Sequence, residues 1–414
     1  GCALKYAILG MDTRTGEQND SLRKTFGSRE IFEHTGMPVH TINTLPKLMW
    51  LKEHAPVVWR NADKFLLYED FFVQKMTGSP AISHCLASRT QLYDIRTKTW
   101  SESILSFLEL KPERLAPIYP SGTQVGRMLP DLAAMLGFSS LPIIVSGGHD
   151  QACGALGVGL TRPGQAMVST GSAEVVEVVS ETPAINASLY QGNMSVYTHT
   201  VPQRYLTMTL NHSGGLLLRW FRDTLGQLEI KKAHDDGIDA YDLILQHASA
   251  DPSGLLLLPH FAGSGTPLCD TASKGAILGL TFSTTKVDLA KAVIEGLTYE
   301  LQSNLEVLRQ GGVKINELRA IGGGAKSQLW LQLKADITGI PVVAPRVTEA
   351  ACWGAALLAG AGVGCFESIA GAAERSVVLS DAYEPDPERQ QKYAELFATY
   401  KTLYPAIKDI VHRL

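Results

Sequence analysis

The sequence predicts an α/β protein of two or three domains, and three observations carry that expectation. The chain has 414 residues, 45% of them hydrophobic and 19% charged, which is apolar material for more than one core. Short apolar runs that read as strands end twice in glycine turns followed by helical segments, at 142–158 and at 318–338. Between them lie stretches rich in Val, Thr and Tyr, at 166–179 and 196–210, whose composition favours strands.

Residues 6–9 read as a short strand running into Gly10, Met11, Asp12, Thr13 and Arg14. An opening in mid-element with no methionine leads to the expectation of an upstream segment. Residues 20–140 read as mainly helical. Leu45, Leu48, Met49 and Leu51 form an apolar stripe around Trp50, and Pro46 suits a first helical turn. A helical piece at 132–136 is ended by Gly137. The strand at 142–146 breaks into Gly147, Gly148, His149 and Asp150, and its apolar run predicts a central, buried place in a sheet. A helix of small residues follows at 151–158. Pro163 and Gly164 mark a turn where the chain changes character, so the predicted domains are 1–160 and 161–414. Segments 166–169 and 173–179 flank Thr170, Gly171 and Ser172 as a hairpin. Apolar residues keep helical spacing over 287–310 until Gly311 and Gly312 stop them. A strand at 318–321, a tight loop at 322–324 and a helix at 326–338 closed by Gly339 complete the pattern.

Composition excludes several classes. Net charge is −4 and no basic block stands out, so no nucleic-acid partner is expected. Apolar residues run along the whole chain, which argues against disorder. Cysteines at 2, 85, 153, 269, 352 and 365 form no CxxC pair and no zinc-ligand spacing, which fits a reducing, cytoplasmic setting. The first residues lack the basic start of a signal peptide. A run without a charge at 350–366 is short and built mostly of Gly and Ala. It predicts a buried helix at a crowded contact rather than a membrane span.

No GxxxxGKS/T loop and no GxGxxG after a strand are present, so a nucleotide would need other glycine turns. Ser169, Thr170, Gly171 and Ser172 can direct backbone N–H groups and two hydroxyls at a phosphate. Gly322, Gly323, Gly324 and Ala325 stand between a strand and a helix, where free amides and the helix dipole favour an anion. Ser213, Gly214 and Gly215 open a third helix. Each alone is equally compatible with an ordinary turn. Asp150 is more informative, because strand ends are where α/β sheets place ligands and a carboxylate there needs partners or a job. It could accept the proton of an alcohol during phosphoryl transfer, with Gln151 bonding a neighbouring hydroxyl; it could also simply cap the following helix.

Six ordered stretches resemble the FGGY family of carbohydrate kinases, in particular its xylulokinase- and fuculokinase-like members. They are TLPKLMWL at 44–51, GGHDQACGALGVG at 147–159, VSTGSAE at 168–174, PHFAGSGTPLCDTASKGAILGLT at 259–281, IGGGAKSQLWLQLKADITGIPV at 321–342 and EAACWGAALLAG at 349–360. The resemblance implies two ribonuclease-H-like, actin-like ATPase domains around a cleft, with ATP on the C-terminal domain and the sugar on the N-terminal one. It makes Asp150 the catalytic base and a magnesium contact, and Gln151 a sugar contact. Thr170, Gly171, Ser172, Gly215, Gly323, Gly324 and Ser327 fall at its nucleotide positions. Asp12 and Arg14 match its sugar-side segment, with Gly10 where tryptophan is usual, and Asn43 joins them as a substrate residue. Members often dimerise.

One departure is expected to matter. The family's opening hairpin, with its own phosphate turn, and the strands after it have no counterpart, and residues 9–16 do not supply one because Arg14 stands where glycine is required. The N-terminal domain is therefore expected to be incomplete, with no parallel neighbour for 142–146, and the chain as written to phosphorylate sugar poorly. The expected function is ATP-dependent phosphorylation of a ketose, a pentulose or deoxyhexulose, with a polyol kinase, a non-catalytic homologue and an actin-like ATPase as alternatives.

Overall fold

The computed structural model describes residues 2–347, 349–380 and 382–414. In the N-terminal half β1 (Gln124–Arg127) pairs antiparallel with β2 (Ile143–Val145). The C-terminal half holds β3 (Gln165–Thr170), β4 (Glu174–Ser180), β5 (Ser195–Thr198), β6 (Tyr205–Asn211), β7 (Glu317–Gly322) and β8 (Val342–Val343). These form one mixed sheet in the order β8-β7-β3-β4-β6-β5. Neighbours from β3 through β4 and β6 to β5 are antiparallel, whereas β7 joins β3, and β8 joins β7, in parallel. This is the ribonuclease-H-like order expected of the second domain.

The helices that position the site are α1 (Thr44–His54), α2 (Tyr68–Thr77), α3 (Asp150–Gly157), α4 (Gly215–Leu225), α5 (Ala240–Leu245), α6 (Lys286–Gln310), α7 (Gln328–Thr338), α8 (Ala350–Gly362) and α9 (Pro387–Val411). Strand alternation sorts the sheet's two faces. Val168, Val176, Val178 and Leu318 meet Leu301, Leu305 and Leu308 of α6 and Leu331 and Ala335 of α7. On the other face Met167, Val179 and Leu206 meet Ala152 and Ala155 of α3 and Ala350 of α8. A capping box between Thr285 and Asp288 starts α6, a device contributing about 1 kcal/mol.

Helices α3 and α8 touch backbone to backbone. A Cβ on Gly157 would stand 1.9 Å from the Ala350 carbonyl oxygen, and one on Gly354 would stand 1.9 Å from that of Cys153. Only glycine allows this approach, so the crowded contact expected of the small-residue run at 350–366 is present. The helix, however, ends at Gly362 and is not buried: Ala350, Gly354, Leu357 and Leu358 are covered while Cys352, Trp353, Ala355 and Ala356 are exposed. Among the described residues no helix is long and apolar enough to cross a membrane.

Two sequence expectations are corrected. Residues 6–9 form no strand, since no described residue offers them a ladder. Strand β2 is not central: among the described residues its one partner is β1, antiparallel, and of its three side chains Ile144 alone is buried. The missing parallel neighbour was anticipated, but not this antiparallel substitute. Asp150 consequently opens α3, with His149 at the cap position.

Candidate active site

Strands β3, β6 and β7 run in the same direction and end at one edge of the sheet, where Thr170 is opposite both Glu174 and Gly322, and Asn211 is opposite Glu174. Each ends in a glycine turn, and the three turns touch. The Gly214 amide donates to Ser172 O at 2.9 Å and the Gly215 amide to Gly171 O at 2.7 Å. A Cβ on Gly215 would lie 2.9 Å from Gly171 O, and one on Gly324 would lie 2.9 Å from Thr170 Cβ. Gly322 has φ +82°, and a Cβ there would come within 2.6 Å of Thr170 O. Side chains at these positions would force the turns apart.

The turns enclose a cavity of about 640 Å³, a size that holds a small organic ligand. All seven residues expected at a nucleotide, Thr170, Gly171, Ser172, Gly215, Gly323, Gly324 and Ser327, line it. Leu216, Leu218, Leu245 and Trp330 add apolar surface, and Arg219, Lys326, Asp239 and Asp242 add charge. Sequence reasoning missed these eight; Lys326, next to the triple glycine, carried a usable signal. Ser327 also caps α7, accepting from the Trp330 amide at 3.3 Å.

The Thr170 hydroxyl does not point at the cavity as expected. It donates to Glu174 Oε2 at 2.8 Å, and Lys334 Nζ donates to the same oxygen at 2.7 Å. A carboxylate buried under the turn takes the hydroxyl proton that the sequence reading assigned to a phosphate.

Asp150 and Gln151 are outside that cavity. The Asp150 side chain is 74% exposed. Its Oδ1 accepts the Gln151 amide at 2.7 Å and faces His149 Nε2 at 3.3 Å. Burial, reinforced by Arg89, lowers the His149 pKa to about 4, so the ring is neutral near pH 7. The loop before Asp150 is held by Glu69 of α2, whose carboxylate accepts from the Gly147 amide at 3.0 Å and the Ser83 hydroxyl at 2.8 Å. Burial raises the Glu69 pKa. Asp150 also lies within electrostatic reach of Glu177 on β4, whose own pKa burial pushes up to about 8. The carboxylate therefore stands where the two halves of the chain meet.

Asp12 and Arg14 form a bidentate pair at 2.8 and 2.6 Å, with the guanidinium 4.7 Å from the centre of the Trp50 ring. Hydrogen bonds from Arg14 hold the Asp12 pKa down at about 2. Asn43 is 2% exposed, and its amide donates to Pro38 O at 2.8 Å, so its present role is to fix a loop. Near it, His40 has its pKa lowered by burial and by His212, the residue after β6. The Asn43 loop thus reaches the neighbourhood of the third turn.

Comparison with known proteins identifies the family to which both halves of the chain belong. The N-terminal domain of the FGGY family of carbohydrate kinases matches residues 2–157, and its C-terminal domain matches residues 166–363. A xylulose kinase of Staphylococcus epidermidis (strain ATCC 12228 / FDA PCI 1200) is 31% identical over 413 residues, covering 99% of this chain and 80% of its own length. One of Bacillus subtilis (strain 168) is 32% identical over 410 residues, covering 98% and 79%. The crystal structure of a xylulose kinase from Rhodospirillum rubrum superposes with a TM-score of 0.89 at 24% identity, over 100% of this chain and 82% of that one. A phosphotransferase of the actin-like ATPase fold is the class that sheet and site define. More narrowly, the chain belongs to the FGGY family of carbohydrate kinases, enzymes that move a phosphoryl group from ATP to a sugar.

Proposed function

We propose that this sugar kinase phosphorylates a hydroxyl of a ketose, a pentulose of the xylulose type, with Asp150 as general base and the nucleotide in the three-turn cavity. The observation that carries the reading is the convergence of the three turns on one cavity lined by all seven expected residues. Turn amides and the start of α7 favour anionic oxygen, Lys326 and Arg219 add positive charge, and Leu216, Leu218 and Leu245 suit a flat base. Glycines let the three turns close on one another around a cavity of about 640 Å³ whose amides, cations and apolar wall fit the phosphates and base of ATP.

Among the described residues no cluster of three or more His, Cys, Asp or Glu could hold a metal by itself. Magnesium beside phosphates needs only one or two carboxylates, and Asp150 supplies one. When bound, the ion would neutralise charge on the phosphate oxygens. Asp150 Oδ1 is engaged by the Gln151 amide, which leaves Oδ2 to take the sugar hydroxyl's proton as its oxygen bonds to the γ-phosphorus and the bond from that phosphorus to the ADP oxygen breaks, releasing ADP. The Gln151 side chain and the Asp12–Arg14 pair orient the sugar. The relatives named xylulose kinases favour a pentulose over a polyol. We place the division between domains near residue 160, in the link between α3 and β3.

One observation favours a second reading, a homologue that binds nucleotide without turnover: Asn43 is buried, and Asp12 and Arg14 satisfy each other. Coupled ADP-release assays on the 414-residue chain, across ketoses and polyols, separate the two. Ketose-dependent ADP release that is slow, in line with the poor phosphorylation expected of residues 1–414, and that falls about 100-fold or more in Asp150→Asn is the predicted result. Sugar-independent release, or full activity in Asp150→Asn, refutes the proposal.

A further inference from the structure

Lys334 of α7 and Glu174 of β4 are 160 residues apart in sequence, and their side chains meet in the interior with exposures of 0% and 1%. Glu174 Oε2 receives both Lys334 Nζ and the Thr170 hydroxyl, while Oε1 is buried without a partner. The Lys334 ammonium also lies 4.9 Å from the centre of the Trp330 ring. One ion pair thus touches two residues that line the cavity, Thr170 in the first turn and Trp330 in α7. As a stabiliser such a pair is inefficient. Desolvating two charges offsets most of their attraction, and an apolar pair of similar volume does as well or better.

Proton accounting indicates what the pair does instead. An ionised carboxylate only accepts, so the single Thr170 hydroxyl proton is committed to Glu174. The Thr170 oxygen keeps only lone pairs and has no proton to offer a phosphate. The Gly171 amide is also committed, to Ala173 O at 3.0 Å. Among the described hydrogen bonds the amide and hydroxyl of Ser172 donate to no protein group, and Ser172 lines the cavity.

We propose that Lys334 and Glu174 are positioning residues of the nucleotide site. Through Thr170 they hold the first turn in the orientation in which Ser172 meets the phosphates. Trp330, stacked on Lys334, ties that orientation to the wall formed by α7. The proposal rests on reading the cavity as the nucleotide site.

Calorimetric titration of ADP into the full chain tests it, with sugar affinity measured in parallel. Glu174→Gln, nearly isosteric, and Lys334→Met should each weaken ADP binding about tenfold or more, with sugar affinity changed less than about twofold. Thr170→Val should weaken it similarly. Combined with Glu174→Gln it should cost no more than the larger single loss, since both act through one hydrogen bond. If Lys334→Met fails to fold, the cycle between Thr170→Val and Glu174→Gln still decides. Unchanged ADP affinity in Glu174→Gln, additive losses, or equal losses of ADP and sugar affinity overturn the proposal. If the wild-type chain binds no ADP, the nucleotide-site reading itself falls, and the proposal with it.

Discussion

Replacing Gly354 by alanine tests the contact between α3 and α8. The new Cβ would begin 1.9 Å from the Cys153 carbonyl oxygen, a backbone atom that no side-chain rotation can move away. The helices must part by about 1 Å or more, and overpacking of this kind costs about 1–3 kcal/mol. Alanine's better helix propensity returns up to about 1 kcal/mol, so the expected net loss is about 1–2 kcal/mol. The control is Gly16→Ala, at the start of helix Gly16–Thr25, where an added Cβ meets nothing within 4 Å. That change should be neutral or slightly stabilising. Urea unfolding reports both, and the separation should show as a lower midpoint for Gly354→Ala at unchanged slope. Because α3 carries Asp150 at its first position, turnover should also fall while ADP affinity holds. A Gly354→Ala chain as stable as Gly16→Ala would refute the argument that backbone contact between these helices fixes α3 and, with it, Asp150.

Burial pushes the Asp70 pKa up to about 8, and its Oδ1 has no partner, so folding favours the neutral acid. A raised folded pKa means its contribution is intact below about 4 and is lost as pH climbs towards 8. Urea midpoints should therefore fall for the wild type relative to Asp70→Asn across that window and coincide below it. His199 is buried with its pKa lowered to about 4, so acid destabilisation between pH 6.5 and 4 should be milder in His199→Gln, read from the same midpoints. Gly324→Val should abolish detectable ADP binding in calorimetry while the fold persists, since its side chain collides with Thr170 inside the turn cluster.

The C-terminal half was legible in the sequence because its signals are local. Strand-favouring composition on either side of Thr170–Ser172 marks β3 and β4, helical spacing marks α6, and the triple glycine at 322–324 marks a strand-to-helix turn. The N-terminal half was less legible. The apolar run at 142–146 looks like a buried central strand, yet burial depends on neighbours that the run does not encode, and the structure provides only β1. Asp150 stands out in the sequence as a carboxylate at the end of a glycine turn, but its openness to solvent could not be read from neighbouring residues that are themselves apolar or glycine. Glu174 escaped notice because its partner Lys334 is far along the chain and because a glutamate in a valine-rich strand reads as solvent-facing. Asn43, placed by resemblance on the sugar side, turned out to be a loop tie for a similar reason: its partner is the Pro38 carbonyl, which leaves no mark in the sequence.

Amide hydrogen exchange of the full chain with and without ADP measures directly whether one nucleotide is held by all three turns. Joint protection of peptides spanning 170–173, 213–217 and 322–329, with little change over 12–43, is the predicted result. Protection confined to one turn, or appearing away from the cavity, would contradict it.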